Sequence, residues 1–177
     1  LSSCRNREEW KKRGVEEAIS RGVNWLIGMQ RECGGWGAFG KANNRSILSK
    51  IPFCDFGEAL DPPSVDVTAH VLEAFGILGL PRHMPTIQRA LAYIRAEQEP
   101  DGPWFGRWGV NYLYGTGAVL PALAAIGEDM TQPYITKAWD WLVAHQQEKG
   151  GWGESCASYM ELAMVGRGVT TPSQTAW

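Results

Sequence analysis

Apolar positions along this chain fall into two kinds of stretch. In one kind they recur every three or four residues: Ile87, Leu91 and Ile94 share a face with Gln98, and Ile135, Trp139 and Leu142 share one with Gln146. That period predicts amphipathic helices lying on a core. In the other kind, about Val65 to Leu80 and Tyr112 to Ile126, the residues are apolar nearly all round, which predicts helices buried on most sides. Outer, amphipathic helices should therefore cover an inner, buried layer.

The stretches also repeat. Arg89-Ala90-Leu91-Ala92-Tyr93-Ile94 with Gln98, Gly102 and Trp104 returns about 48 residues later as Lys137-Ala138-Trp139-Asp140-Trp141-Leu142 with Gln146, Gly150 and Trp152. A third copy stands upstream as Arg21-Gly22-Val23-Asn24-Trp25-Leu26 with Gln30, Gly34 and Trp36. The shared pattern is basic, small, two variable, aromatic, aliphatic, then QxxxGxW. Between the copies Thr68, Leu72, Ala74 and Gly79 match Thr116, Leu120, Ala122 and Gly127, and Pro85 matches Pro133, each prolines suited to a first helical turn. The expected fold is all-α, a barrel or toroid built from helix pairs. Its outer helices should end near Gly34, Gly102 and Gly150, and its inner ones should span 65–80 and 112–126. By the same register the Thr of unit one would fall at or just before Leu1, and a new unit starts at Thr175-Ala176-Trp177. Residues 1–177 are therefore expected to be an incomplete part of one α/α-barrel domain, cut within an inner helix at both ends and needing capping or closure.

Composition narrows the partners. A net charge of −2, with Lys11-Lys12-Arg13 as the one basic cluster, argues against nucleic acid, whose phosphates call for a concentrated positive surface. Cys4, Cys33, Cys54 and Cys156 lack CxxC spacing, so neither a disulfide framework nor a zinc knuckle is indicated. No apolar run approaches the roughly 20 residues that span a bilayer. Nine Trp, five Tyr and five Phe stand out. Trp25, Trp36, Trp104, Trp139, Trp141 and Trp152 belong to the repeat and read as packing groups. Phe39, Phe53, Phe56, Trp108 and Tyr114 lie outside it and need another account.

Three segments break the repeat. The first, between Trp36 and the inner helix near Val65, is longer than its counterpart and holds Ile51-Pro52-Phe53-Cys54-Asp55-Phe56-Gly57-Glu58 and Asp61-Pro62-Pro63-Ser64. Its aromatics read either as a cavity wall or as ordinary loop packing. In the second, Asp66, Thr68 and His70 put polar groups on an apolar helix, with Asp66 and His70 one turn apart. Either the carboxylate meets the imidazole and favours its charged form, or Ser64 or Asp66 caps the helix and His70 is a satisfied core residue. The third, Gly102 to Thr116, alternates aromatics with glycine, which lets rings crowd one site while the backbone turns sharply. It contains no phosphate-binding glycine loop.

The QxxxGxW repeat resembles the QW motif of triterpene cyclases. Phe53-Cys54-Asp55-Phe56-Gly57-Glu58, Asp61-Pro62-Pro63-Ser64, Asp66-Val67-Thr68-Ala69-His70 and the run Phe105-Gly106-Arg107-Trp108-Gly109-Val110-Asn111-Tyr112-Leu113-Tyr114-Gly115-Thr116 are similar to the squalene-hopene branch of that family. The resemblance covers essentially the whole chain and implies an acid-initiated cyclisation of squalene to hopene or hopanol through carbocations. It places the proton-donating DxDD motif upstream of Leu1. By the same resemblance His70 hydrogen-bonds the acidic aspartates, Asp66 belongs to their polar network, and Tyr114 reaches that network through water. Phe39, Phe56 and Trp108 resemble cavity aromatics, Phe53 and Cys54 the constriction of the substrate channel, and Asp61 an important acid of unassigned role. Near Gly40 and Ala42, where the family carries acidic residues, this chain has none. The resemblance further implies no metal or organic cofactor, peripheral attachment to the cytoplasmic face of a bacterial inner membrane, and an assembly that extends to a homodimer.

The chemistry fits the residue types. Protonating an alkene needs a strong acid, and an imidazolium beside that acid favours its ionised form. Aromatic faces stabilise carbocations without offering a lone pair, each by roughly 0.5–2 kcal/mol. Three other readings share the helical repeat: an oxidosqualene-type cyclase, a zinc prenyltransferase subunit, for which His83 and His145 sit in unsuitable outer positions, and a non-catalytic helical-toroid binding module.

Overall fold

The computed structural model describes residues 14–40 and 61–177. Within them the chain forms α1 (Val15–Met29), α2 (Val65–Ile77), α3 (Pro85–Ala96), α4 (Tyr112–Ala125), α5 (Pro133–Ala144) and the short α6 (Pro172–Ala176), with two 3₁₀ turns at Cys156–Tyr159 and Leu162–Met164. Among the described residues there is no strand beyond two isolated bridges. The architecture is all-α, as the periodicity requires.

α2 and α4 pack along one another as the inner layer, α3 covers α2, and α5 covers α4. Leu72, Phe75, Val119 and Leu123 from the inner helices meet Ile87, Leu91 and Ile94 from the outer layer, and all seven are fully buried. The inner helices stop at Ile77 and Ala125 because Gly79 and Gly127, both at φ 76°, turn the chain out of the helix. α4 is buried over most of its length, but α2 keeps a stripe on which His70 and Ile77 are exposed and Val67 and Ala74 half-buried.

The outer helices end five to six residues before the predicted glycines, at Met29, Ala96 and Ala144. The QxxxGxW segment is instead a separate latch. Gln30 Nε2 donates to Gly34 O and to Thr86 O in the next outer helix, both at 2.8 Å. Gln98 repeats this with Gly102 O at 2.6 Å and Tyr134 O at 2.7 Å. The tryptophan faces inward: its backbone N–H donates to the inner-helix threonine, at 3.0 Å for Trp36 to Thr68 and for Trp104 to Thr116, and 3.1 Å for Trp152 to Thr175. Its indole N–H returns to the outer helix at Leu26 O, Ile94 O and Leu142 O. The glycine is fixed by geometry. Gly34 and Gly102 sit at φ 98° and 115°, and a Cβ there would lie 2.3 Å from Arg89 O and 2.7 Å from Lys137 O. Each latch thus ties an outer helix to its inner partner and, in the first two units, to the next outer helix.

Two of the six repeat tryptophans do not pack as expected. Trp25 is 59% and Trp139 61% exposed, against 2% and 0% for Trp36 and Trp104. α1 has no fully buried residue, and Val23, Leu26 and Ile27 meet the core while Trp25 projects from the other side. Trp139 takes the register position of Leu91 but lines an open groove between α4, α5 and α6.

Candidate functional site

His70 and Tyr114 come from the two inner helices and meet at an edge where His70 is exposed and Tyr114 half-buried. His70 Nε2 lies 3.3 Å from the Tyr114 hydroxyl, which donates when Nε2 carries no proton. Burial, and secondarily the Asp66 charge, push the Tyr114 pKa up, so the phenol keeps its proton at neutral pH. The other ring nitrogen, Nδ1, is 3.9 Å from Glu73 Oε2 in a half-exposed pair, a geometry that holds the ring only weakly. The expected meeting of Asp66 with His70 does not occur. Asp66 is fully buried and spends its oxygens on backbone: Oδ1 on its own neighbour Val67 N at 3.0 Å, and Oδ2 on Arg107 N at 3.1 Å and Trp108 N at 2.7 Å. Of the capping alternative, Ser64 at the N-cap makes no side-chain bond, Asp66 does hold the first-turn N–H of Val67, and His70 is exposed and not a core residue.

Asp66 is one of three buried carboxylates that gather main-chain N–H groups. Asp61, 1% exposed, accepts from Ala38 N, Phe39 N and Gly40 N at 2.7, 2.7 and 2.9 Å, with Arg31 Nη2 3.7 Å from Oδ2. Burial pushes its pKa up, but the three N–H donors and Arg31 outweigh that and leave it below the usual carboxylate value. Asp61, read as an acid of unassigned role, is thus the anchor of the loop that carries Phe39. Glu154, 6% exposed, accepts from Leu113 N at 2.8 Å, Asn111 N at 3.2 Å and Gly166 N at 3.0 Å. The sequence reading missed it. Its signal was an ionisable residue two places after Trp152, where units one and two have Ala38 and Gly106.

The anchored loops bring the aromatics together. The Phe39 and Trp108 rings pack edge to face with centroids 5.3 Å apart, and the Arg107 guanidinium lies 5.7 Å from the Trp108 ring centre. Trp108, Tyr114 and Trp177, with Glu154 and Gln174, line a cavity of about 430 Å³. Tyr114 and Trp177 stand 4.9 Å apart, and His70 is 6.3 Å from each. Phe53, Cys54 and Phe56 lie outside the described residues. Among the described residues no three His, Cys, Asp or Glu side chains converge as metal ligands. His145 instead stacks on Trp141 at 4.1 Å, with Nδ1 2.8 Å from Trp141 O, and His83 is exposed in a turn.

Comparison with known proteins gives this site a context. The family described as squalene-hopene cyclase C-terminal domain matches residues 1–177. A protein named squalene-hopene cyclase from Alicyclobacillus acidocaldarius is 54% identical over all of this chain and 28% of its own length. One of the same name from Zymomonas mobilis is 45% identical over 92% of the chain and 25% of its own length. A dammaradiene synthase from Dryopteris crassirhizoma is 41% identical over 90% of the chain and 26% of its own length. The chain therefore spans about a quarter of the length of each of these three relatives.

Proposed function

The chain belongs to the squalene-hopene cyclase family, and we propose that it forms part of the catalytic α/α-barrel domain of an enzyme that cyclises squalene to hopene or hopanol. The observation that carries this reading is the single cavity in which Trp108, Tyr114 and Trp177 converge beside the His70–Tyr114 pair. An acid supplied by sequence preceding Leu1 transfers its proton to a terminal alkene carbon of squalene. The alkene electron pair forms the new C–H bond and leaves a tertiary carbocation. Each later alkene donates its π pair to the cation before it, closing one ring and passing the charge on. The last cation loses a proton to a base to give hopene, or takes the lone pair of a water molecule and then releases that water's proton to give hopanol.

His70 supports the donor, as a hydrogen-bonding partner that stabilises the carboxylate left behind. Tyr114 holds the imidazole in place. Trp108 and Phe39 present π faces to the travelling charge. The proposal carries with it peripheral attachment to the cytoplasmic face of a bacterial membrane, where squalene dissolves. No described helix is long and apolar enough to cross a membrane.

The test is a chimera. This chain replaces the matching segment of the Alicyclobacillus enzyme, and the product is assayed with squalene by gas chromatography. Pentacyclic product supports the proposal. A folded chimera that binds squalene without converting it would overturn it. The 177-residue chain alone should make no cyclic product.

A further inference from the structure

The segment between Gly153 and Thr171 is longer than the stretch that joins Trp104 to the inner helix starting at Tyr112 in the second unit. It closes over the loop that carries Trp108 and leads into Tyr114. Three side chains make the closure, Glu154 and Tyr159 within the segment and Gln174 just after it. Glu154 takes the N–H groups of Asn111 and Leu113. Its second oxygen takes Gly166 N and so folds the segment back on itself. The Tyr159 hydroxyl shares its one proton between Gly109 O at 2.7 Å and Gly106 O at 3.0 Å. Gln174 Nε2 bridges Val110 O and Glu154 O.

The first turn of α4 lacks a cap of its own, since Asn111 makes no side-chain capping bond. The N–H groups of a first helical turn have no partner within the helix, and the positive end of the helix dipole favours an anion there. Glu154 supplies both needs from forty residues away along the chain. Among the described residues no Lys, Arg or His pairs with it, so its charge is committed to the backbone. Tyr114 is the next residue after Leu113, and its hydroxyl is the group that meets His70. We infer that Glu154 is a positioning residue of the cyclase site: it fixes the first turn of α4 and the preceding loop so that the Tyr114 hydroxyl and the Trp108 face bear on the same cavity. This inference rests on the function proposed above, and its test separates the two.

In the chimera, Glu154→Ala removes all three acceptor contacts, while Glu154→Gln keeps one oxygen for Asn111 and Leu113. Glu154→Ala should lower kcat about tenfold, in line with the cost of a displaced catalytic group, with KM within about twofold and a larger share of incompletely cyclised products. Glu154→Gln should restore most of the turnover and the native product pattern. A kcat that falls only in step with the folded fraction, with products unchanged, would make Glu154 purely structural and overturn the inference. So would unchanged turnover and products. Hydrogen exchange on the 177-residue chain provides a readout independent of squalene. Glu154→Ala should speed exchange at 111–114 while 118–124 stays protected, and equal loss of protection at both would overturn the inference. If the unmutated chimera is inactive but this exchange pattern appears, the proposed function fails and the positioning role of Glu154 stands.

Discussion

Replacing Asp61 by Asn tests the idea that buried carboxylates, not helix packing alone, set the position of the site aromatics. Asp61 accepts three N–H groups from residues 38–40 and faces Arg31, itself 8% exposed. Asn keeps one acceptor oxygen, but its NH₂ points at N–H groups that need an acceptor, and Arg31 loses its counter-charge. Breaking one side of a buried pair costs about 3–5 kcal/mol. Arg31 also donates to the carbonyls of Gly40 and Asp61, which soften the loss, so we expect about 2–4 kcal/mol at pH 7 by urea denaturation. The effect must depend on pH. The folded pKa of Asp61 lies below the ordinary 3.8, so its contribution is fully present above that value and is lost as pH falls through the folded pKa. The stability gap between native chain and Asp61→Asn should hold from pH 7 to 5 and close below about pH 4. Taking the difference between the two proteins cancels the titration of groups far from the site. Amide exchange at 38–40 should quicken in the variant, since those three N–H groups lose their shared acceptor. A gap under about 0.5 kcal/mol at pH 7, or one of equal size at pH 3, would refute the assignment, because surface changes alone stay within that range.

Three further outcomes are expected. Thr116→Val leaves the buried Trp104 N–H without its acceptor and should cost about 1–3 kcal/mol, read as a fall in thermal midpoint of about 2–10 °C; an unchanged midpoint would show that the latch is not a stabilising element. In the chimera, His70→Ala should lower kcat on the order of a hundredfold with little change in KM, and weakened binding at unchanged kcat would make His70 a wall residue. Trp108→Leu should yield early-terminated products and a rate loss of about tenfold, the equivalent of roughly 1.4 kcal/mol of cation–π stabilisation. Its thermal stability should stay near native because Trp108 is already 42% exposed, and unfolding in step with lost activity would return it to the packing residues.

The helix layers and the latch residues were legible because a repeat writes the same physical requirement several times. Gln, Gly and Trp recur because each latch needs a side-chain donor, a left-handed turn and an indole that bonds back to the outer helix, and in the first two units the donor and the turn also meet the next outer helix. Helix ends were placed too late, because the apolar period runs on into a turn whose bonds are made by side chains. Trp25 and Trp139 satisfy the pattern yet stay exposed, since burial depends on which neighbours arrive and the period specifies only a face. The site was harder to read. Spacing showed that Asp66 and His70 could share a helix face but not that the N–H groups of Arg107 and Trp108 would claim the carboxylate. Glu154 was invisible for a related reason: its partners are main-chain groups, which leave no mark on residue type.

The saturation of these carboxylates bears on the chemistry. A cavity that shelters a carbocation gains from nearby negative charge but is endangered by any free oxygen lone pair, which would capture the cation. Asp61, Asp66 and Glu154 each take three backbone N–H groups, which occupy most of the roughly four lone-pair directions of a carboxylate. Their charge still acts through the low-dielectric interior, where its reach exceeds that in water, while their nucleophilicity is spent. On the function proposed, the acid that starts the reaction is a different group, and His70, exposed on α2 with its imidazole beside Tyr114, is the residue proposed to receive it.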